Sequence, residues 1–289
     1  MIPAAFAYER AGSVGEALSL LMEHGSDAKV LAGGQSLIPL MKLRLARPDR
    51  LIDIGRLDEL RGVRASAGGG LSIGPLTTYA ALLEDPQVLV YDLLADALPR
   101  IGDLQVRNRG TIGGSIAHAD PASDMPALLL ALDAEVVCRS AHRGERVVPI
   151  GEFFDGPFST ALREDELVTE IRLPPASGTY GSAYRAIEQP ASGYAIAGVA
   201  AIIGGTGDGR FPDVRVAVTG VGDHPYRAAA AEAVLRGTTC DAATIAAAAA
   251  TVTEGIQVQG DIHADSTYRT AMAGVMAQRA IEAARSRLG

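Results

Sequence analysis

Apolar positions recur at helical spacing soon after the chain begins. Ser13-Val14-Gly15-Glu16 has capping-box spacing ahead of "ALSLLMEHG", with Gly25 as the stop. The apolar run "AKVLA" then reads as a short strand that ends in Gly33-Gly34. Gln35 and Ser36 open a helical segment from Leu37 to about Leu45, which Pro48 ends, and "DRLIDI" reads as another strand. "GGGLSIGPLTTYAALLED" predicts strand, turn and helix, with Thr77 or Thr78 as the N-cap. "VLVYDLLADALPRI" is amphipathic and helical to about Pro99. After a second pair, Gly113-Gly114, Ser123 or Asp124 can cap a helix that carries Pro126 in its first turn. "AEVVCRS", "RVVPI" and "ELVTEIRLP" predict strands, the last with Leu167, Thr169, Ile171 and Leu173 on one face.

"LPPASGTYGS", residues 173–182, is the best candidate domain boundary. Beyond it, "AIAGVAAIIGG" and "DVRVAVTGVG" predict strands joined by a Gly-rich turn. Three helical segments follow: "YRAAAAEAVLRG", "DAATIAAAAATVTEG" and "DSTYRTAMAGVMAQRAIEAARSRL". Strands followed by helices predict an α+β C-terminal domain, and the alanine runs reflect helix propensity and close packing.

At 289 residues the chain has room for roughly two domains, and 48% hydrophobic residues can fill a substantial core. A formal charge of −8 argues against a nucleic-acid partner. Cys138 and Cys240 are too few for a disulfide framework or an iron–sulfur cluster. The start "MIPAAFAYERAGS" lacks a charged lead before an apolar core, and no apolar run reaches the ~20 residues of a membrane span. A soluble, cytoplasmic protein is expected.

The two glycine pairs carry the candidate chemistry. A diphosphate needs backbone N–H groups at short range, and glycine removes the β-carbon that would obstruct them. Ala32-Gly33-Gly34-Gln35-Ser36 meets this description, and Thr111-Ile112-Gly113-Gly114-Ser115 offers further amides with hydroxyls at both ends. Neither is GxGxxG or GxxxxGK[ST], so the dinucleotide fold of that fingerprint and the P-loop both fit poorly. A purely structural strand-to-helix turn remains the alternative for either pair.

"AGGQSLIPLMKLRLARPDRLIDI", "IGPLTT" and "VRNRGTIGGSIAHADPASDMPALLLALDAEV" resemble the FAD-binding medium subunit of the molybdenum hydroxylases, the carbon monoxide dehydrogenase type of the xanthine dehydrogenase family. "VGDHPYRAAAAEAVLRG" and "DIHADSTYRTAMAGVMAQRAI" resemble that family's C-terminal segments, so the resemblance covers essentially the whole chain. It implies an α+β fold: a two-subdomain PCMH-type FAD-binding domain over 1–175, with subdomains of about 1–57 and 58–175, then a small α+β domain over 176–289.

The resemblance further implies one FAD clamped by its diphosphate between the two loops, with Ala32, Gly33, Gly34, Gln35 and Ser36 on one side and Thr111, Ile112, Gly113, Gly114 and Ser115 on the other. Asp124 is expected to accept hydrogen bonds from the cofactor, with a helix N-cap as its alternative and compatible role. Thr77 and Thr78 lie where the family has Ile-Gly-Ala-x-Thr-Thr, although Pro75 replaces the alanine; helix capping is their alternative. Arg107 and Arg109 can neutralise phosphate or face solvent or a partner, and His118 is expected to be structural. Residues 184–195, "YRAIEQPASGYA", depart from the family pattern: Glu188, Gln189 and Pro190 stand where positive charge is usual, and Gly193 replaces an acidic residue. Tyr194 is expected near the flavin ring, with core packing as its alternative, and Arg185 is expected to place a positive charge there.

The implied role is electron transfer. Electrons from a molybdopterin-bearing large subunit would cross two [2Fe–2S] clusters in a small subunit, reach FAD here and leave to an external acceptor. The partners form a heterotrimer, itself able to dimerise, and this chain needs no catalytic residue or metal of its own. Two other readings compete: a self-sufficient FAD oxidase of the vanillyl-alcohol-oxidase type, and a scaffold that has lost its flavin, against which the intact "AGGQS" and "TIGGS" argue.

Overall fold

The computed structural model describes residues 2–66, 68–176, 180–205 and 209–288; part of the expected 173–182 boundary and part of the Gly-rich turn after residue 204 lie outside the described residues. The first unit contains β1 (Ala7–Arg10), α1 (Val14–His24), β2 (Ala28–Leu31), α2 (Leu37–Lys42) and β3 (Arg50–Asp53). Its strands are parallel in the order β1-β3-β2, because a helix separates each strand from the next. The 32–36 loop therefore leaves the carboxyl end of a parallel strand, where open α/β sheets place their ligands.

Ser13 caps α1, its Oγ accepting from the Glu16 N–H at 3.1 Å, and Gly25 ends the helix with φ +50°. Glu16 turns its carboxylate to the Gly12 N–H at 2.7 Å, so the reciprocal half of the capping box goes one residue further back than expected. Val14, Ala17, Leu18 and Leu21 pack with Ile52 and Ile54 in one small core. α2 stops at Lys42, short of the expected Leu45. Arg44 takes φ +60°, and the N–H groups of Leu45 and Ala46 both donate to the Leu40 carbonyl, which winds the end shut.

The second unit is an antiparallel sheet of β4 (Val63–Ala65), β5 (Leu71–Ile73), β6 (Glu135–Ser140), β7 (Gly144–Pro149) and β10 (Glu166–Leu173), ordered β4-β5-β10-β6-β7. Five helices lie between β5 and β6 in sequence: α3 (Tyr79–Glu84), α4 (Asp92–Ala97), α5 (Leu104–Arg109), α6 (Ile112–His118) and α7 (Asp124–Ala131). A small hairpin, β8 (Phe154–Gly156) and β9 (Ser159–Thr160), precedes β10. The helix expected across 88–99 begins only at Asp92: the N–H groups of Val88 and Leu89 turn back onto the Asp85 carbonyl, and Val90 is left exposed. The expected single apolar face of β10 is also corrected. A bulge between Val168 and Glu170 resets the alternation, so Leu167 joins the first unit's core while Val168, Ile171 and Leu173 join the central one.

The third unit is the antiparallel sheet β11 (Tyr180–Glu188), β12 (Ala195–Gly204), β13 (Asp213–Thr219) and β14 (Tyr226–Arg227), with α8 (Ala229–Leu235), α9 (Ala242–Ala250) and α10 (Ser266–Ser286). Asp241 and Asp265 cap the last two helices. The helix expected over 226–237 splits into a strand pair and α8, because Tyr226 and Arg227 join the β13 ladder. Every residue of β12 is buried, with α10 packed on one face and α7 on the other. Every residue of α7 is buried too, because this helix packs between the second and third units.

Candidate cofactor-binding site

The 32–36 loop is shaped by two steric demands. Gly34 takes φ +75°, and a β-carbon on Gly33 would collide with the carbonyl oxygen of Arg109 at the end of α5. That close approach brings the two glycine segments together; a β-carbon on Gly114 would lie 4.0 Å from the β-carbon of Ala32. Among the described residues, the N–H groups of Gly33, Gly34, Gln35 and Ser36 find no acceptor within the protein. Four consecutive unpaired amides at a strand end form a backbone nest suited to an anion.

The second loop differs from expectation. Ile112 N–H donates to the Thr77 carbonyl at 3.1 Å, Gly113 N–H to the Pro75 carbonyl at 2.9 Å, Gly114 N–H to Thr111 Oγ at 3.0 Å, and Ser115 N–H to the Thr111 carbonyl at 3.0 Å. The amides of 112–115 are thus spent within the protein. Gly113 is a glycine because the Pro75 backbone and ring abut it, so here the proline that departs from the family pattern has a packing role. The hydroxyls on this side have partners within the protein as well: buried Thr111 caps α6, and Ser115 Oγ lies 2.7 Å from Ser123 Oγ and beside the buried Tyr79 phenol.

Thr77 is corrected as a contact through its hydroxyl, which is buried between Gly62 and Gly74: Oγ donates to the Gly74 carbonyl at 2.7 Å and accepts from the Gly62 N–H at 2.9 Å. Thr78 caps α3, accepting from the Ala81 N–H at 3.2 Å. Ser123 occupies the N-cap position of α7, so Asp124 is not that cap. Asp124, 8% exposed, accepts a hydrogen bond from the phenol of Tyr184, itself 2% exposed. Burial pushes the Asp124 carboxyl up to about 6 against the opposing Tyr184 bond, and burial with the nearby carboxylate holds the Tyr184 phenol well above its usual range.

Tyr194 lies beside the first loop: its phenol reaches the Ser36 side chain, linking the third unit to that loop. The residue is 39% exposed overall, yet burial of its hydroxyl end, then Asp120, raises its pKa, with Ser36 opposing. Arg185 is corrected. Successive residues of a strand face opposite ways, so with Tyr184 turned toward Asp124, Arg185 lies on the α10 side. There it pairs with Asp96 at 2.9 Å, as does Arg287 from just past α10. Arg107 donates to the Ile101 and Gly102 carbonyls, Arg109 is exposed beside the loops, and His118 packs its ring 5.1 Å from that of Phe158.

Residues absent from the sequence-based site also shape it. Thr219 Oγ lies within hydrogen-bond distance of the Pro121 and Ser123 carbonyls, at 2.9 and 2.7 Å, while Gly220 N–H donates to Pro121 and Ala195 N–H to Ala122. The third unit thereby stitches the 120–124 segment in place. A cavity of about 190 Å³ beside Tyr194 is lined also by Ala122, Gln189, Ser192, Ile196 and Arg269. A second, of about 280 Å³ and lined by Arg64, Arg139, Glu145 and Glu170 among others, includes no residue of the two glycine loops.

The donor set fits FAD, with a nest of amides for the diphosphate, hydroxyls opposite it and a tyrosine at its rim. The sequence pattern of the FAD binding domain in molybdopterin dehydrogenase matches residues 4–176, and that of the CO dehydrogenase flavoprotein C-terminal domain matches 182–284. The chain belongs to the FAD-binding medium subunits of the molybdenum hydroxylases. It is 42% identical to the carbon monoxide dehydrogenase medium chain of Hydrogenophaga pseudoflava, over 99% of each chain. It is 41% identical to the glyceraldehyde dehydrogenase medium chain of Sulfolobus acidocaldarius, over 98% of this chain and 99% of that one. Its structure superposes on the Hydrogenophaga pseudoflava carbon monoxide dehydrogenase lacking the Mo-pyranopterin moiety with a TM-score of 0.96, 44% identity and full coverage of both chains. Medium subunits of this kind are oxidoreductase components of multi-subunit enzymes, and their cofactor is FAD. Among the described residues no helix is long and apolar enough to cross a membrane.

Proposed function

We propose that this chain is the electron-transfer flavoprotein of a heterotrimer. It receives electrons from [2Fe–2S] clusters of a small partner subunit, which stand between it and a molybdopterin centre on a large subunit, and delivers them to an external acceptor. The observation that carries the reading is the nest of four unpaired amides at Gly33–Ser36, pressed against the second loop and overlooked by Tyr194. Bound FAD supplies the capacity to take up electrons and pass them on.

The chain's own residues bind and orient. The Gly33–Ser36 amides hold the diphosphate, and the Thr111 and Ser115 hydroxyls approach from the other side. Ile112, Gly113 and Gly114 keep that side rigid through backbone bonds to Pro75, Thr77 and Thr111. Thr78 orients α3 beside them, Tyr194 screens the outer edge, and Asp124 holds a proton on its carboxyl below about pH 6. Both cysteines are buried in separate cores, with burial pushing Cys138 up to about 11 and Cys240 upward as well. Neither is poised as a cluster ligand, which supports clusters on a partner.

Anaerobic reduction tests the proposal. The flavin absorbance of the assembled complex should bleach on adding the complex's substrate, and that of the isolated chain should not. Bleaching of the isolated chain by a small substrate would instead mark a self-sufficient oxidase.

A further inference from the structure

Past α2 the chain turns its apolar side chains outward. Leu43 is 51% and Leu45 73% exposed, and Ile2, 79% exposed, runs alongside, its carbonyl accepting from Arg44 Nε at 3.4 Å. The backbone holding them is fixed. Arg44 sits at φ +60°, a conformation that disfavours a β-carbon, and Leu45 and Ala46 are both tied to the Leu40 carbonyl. A clustered, rigidly presented apolar surface marks an interaction site more often than chance exposure does.

Lys42, Arg44 and Arg47 fringe this surface. Among the described residues none of the three forms an ion pair; Arg44 and Arg47 use Nε only on main-chain carbonyls. This is a local excess of cations in a chain where Asp and Glu outnumber Lys and Arg 34 to 26. An apolar centre with an unpaired basic rim complements a surface with an apolar centre and a carboxylate rim. The face is also continuous with the cofactor loop: α2 begins at Leu37, directly after Ser36, and its six residues span about 9 Å.

We propose that this end of α2, with Ile2 beside it, docks the iron–sulfur partner through an acidic-rimmed apolar surface on that partner. The inference rests on the electron-transfer reading above and specifies where the donor sits.

The test co-expresses the chain with its two partner subunits and compares wild type with Leu43→Glu/Leu45→Glu and with Arg44→Glu/Arg47→Glu. Flavin content and melting temperature should stay at wild-type values, since these side chains fill no core. Each double variant should bind the iron–sulfur subunit at least about tenfold more weakly. Wild-type affinity should fall as salt rises, and the arginine variant should lose most of that dependence. Should the leucine variant lose its flavin, the arginine variant alone decides. Wild-type affinity in the variants, loss of only the large subunit, or a change only in self-association overturns the inference. A wild-type chain without flavin, or without an iron–sulfur partner, overturns the electron-transfer reading as well. A normal wild-type complex with equally normal variants overturns this inference alone.

Discussion

Tyr184, on the first strand of the third unit, donates its phenolic hydrogen to Asp124, the first residue of the buried helix α7. The bond joins two units at the segment that Thr219, Gly220 and Ala195 also fasten. Replacing Tyr184 with Phe leaves a buried carboxyl without its donor. Such a loss costs about 1–3 kcal/mol, which urea denaturation at neutral pH should register. A change within ~0.5 kcal/mol would show that the pair contributes nothing.

Asp124 also makes stability depend on pH. Its carboxyl titrates near 3.8 when unfolded and about 6 when folded, so between those values the folded chain keeps a proton the unfolded chain has released. Its stabilising contribution is complete below about pH 4 and gone above about pH 6. Asp124→Asn removes this dependence. The stability of wild type relative to the variant should therefore fall by on the order of 3 kcal/mol as pH rises through that window. Parallel pH profiles for the two proteins would refute the assignment.

Asp96 works in the opposite sense. Burial alone would raise its pKa, but hydrogen bonds from Arg287, the Tyr184 N–H and Arg185 overcome that and hold it below its usual value. Its contribution is present above about pH 4 and lost as pH falls below. Asp96→Asn should cost about 1–3 kcal/mol at pH 7, and the difference from wild type should shrink toward about pH 3, as read by chemical denaturation at both pH values.

Gly33→Ala tests the junction of the two loops. The new methyl meets the Arg109 carbonyl, and backbone on both sides cannot yield as a flexible side chain would. FAD content per purified chain should fall at least about tenfold, as measured by flavin absorbance, while Gln35→Ala, whose side chain is exposed, should retain flavin. Normal flavin content in Gly33→Ala would show that the close approach is dispensable.

Local signals were legible in the sequence wherever one residue type answers one local demand. Ser13 and Gly25 bracket α1, Thr78 caps α3, and Asp241 and Asp265 start the last helices because capping is decided within a turn. The motifs also located the two loops, and the family resemblance named FAD as the cofactor. The partners of each amide were not legible. Thr111–Ser115 and Ala32–Ser36 look alike as strings, yet residues 112–115 spend their amides on Pro75, Thr77 and Thr111, two of them far away in sequence. β11 escaped notice because both its faces are covered, so its residues show no apolar–polar alternation. Missing that strand also misplaced Arg185, since only strand geometry separates it from Tyr184 by a full face of the sheet. Nothing local marks the Tyr184–Asp124 pair, whose members lie sixty residues apart.

The most direct measurement is backbone amide NMR of the flavin-free chain as FAD is added. The Gly33, Gly34, Gln35 and Ser36 resonances should move farthest, because their N–H groups gain acceptors, while Ile112, Gly113 and Gly114, already bonded within the protein, should move little. Large shifts at 112–114 with 33–36 unmoved would contradict the account.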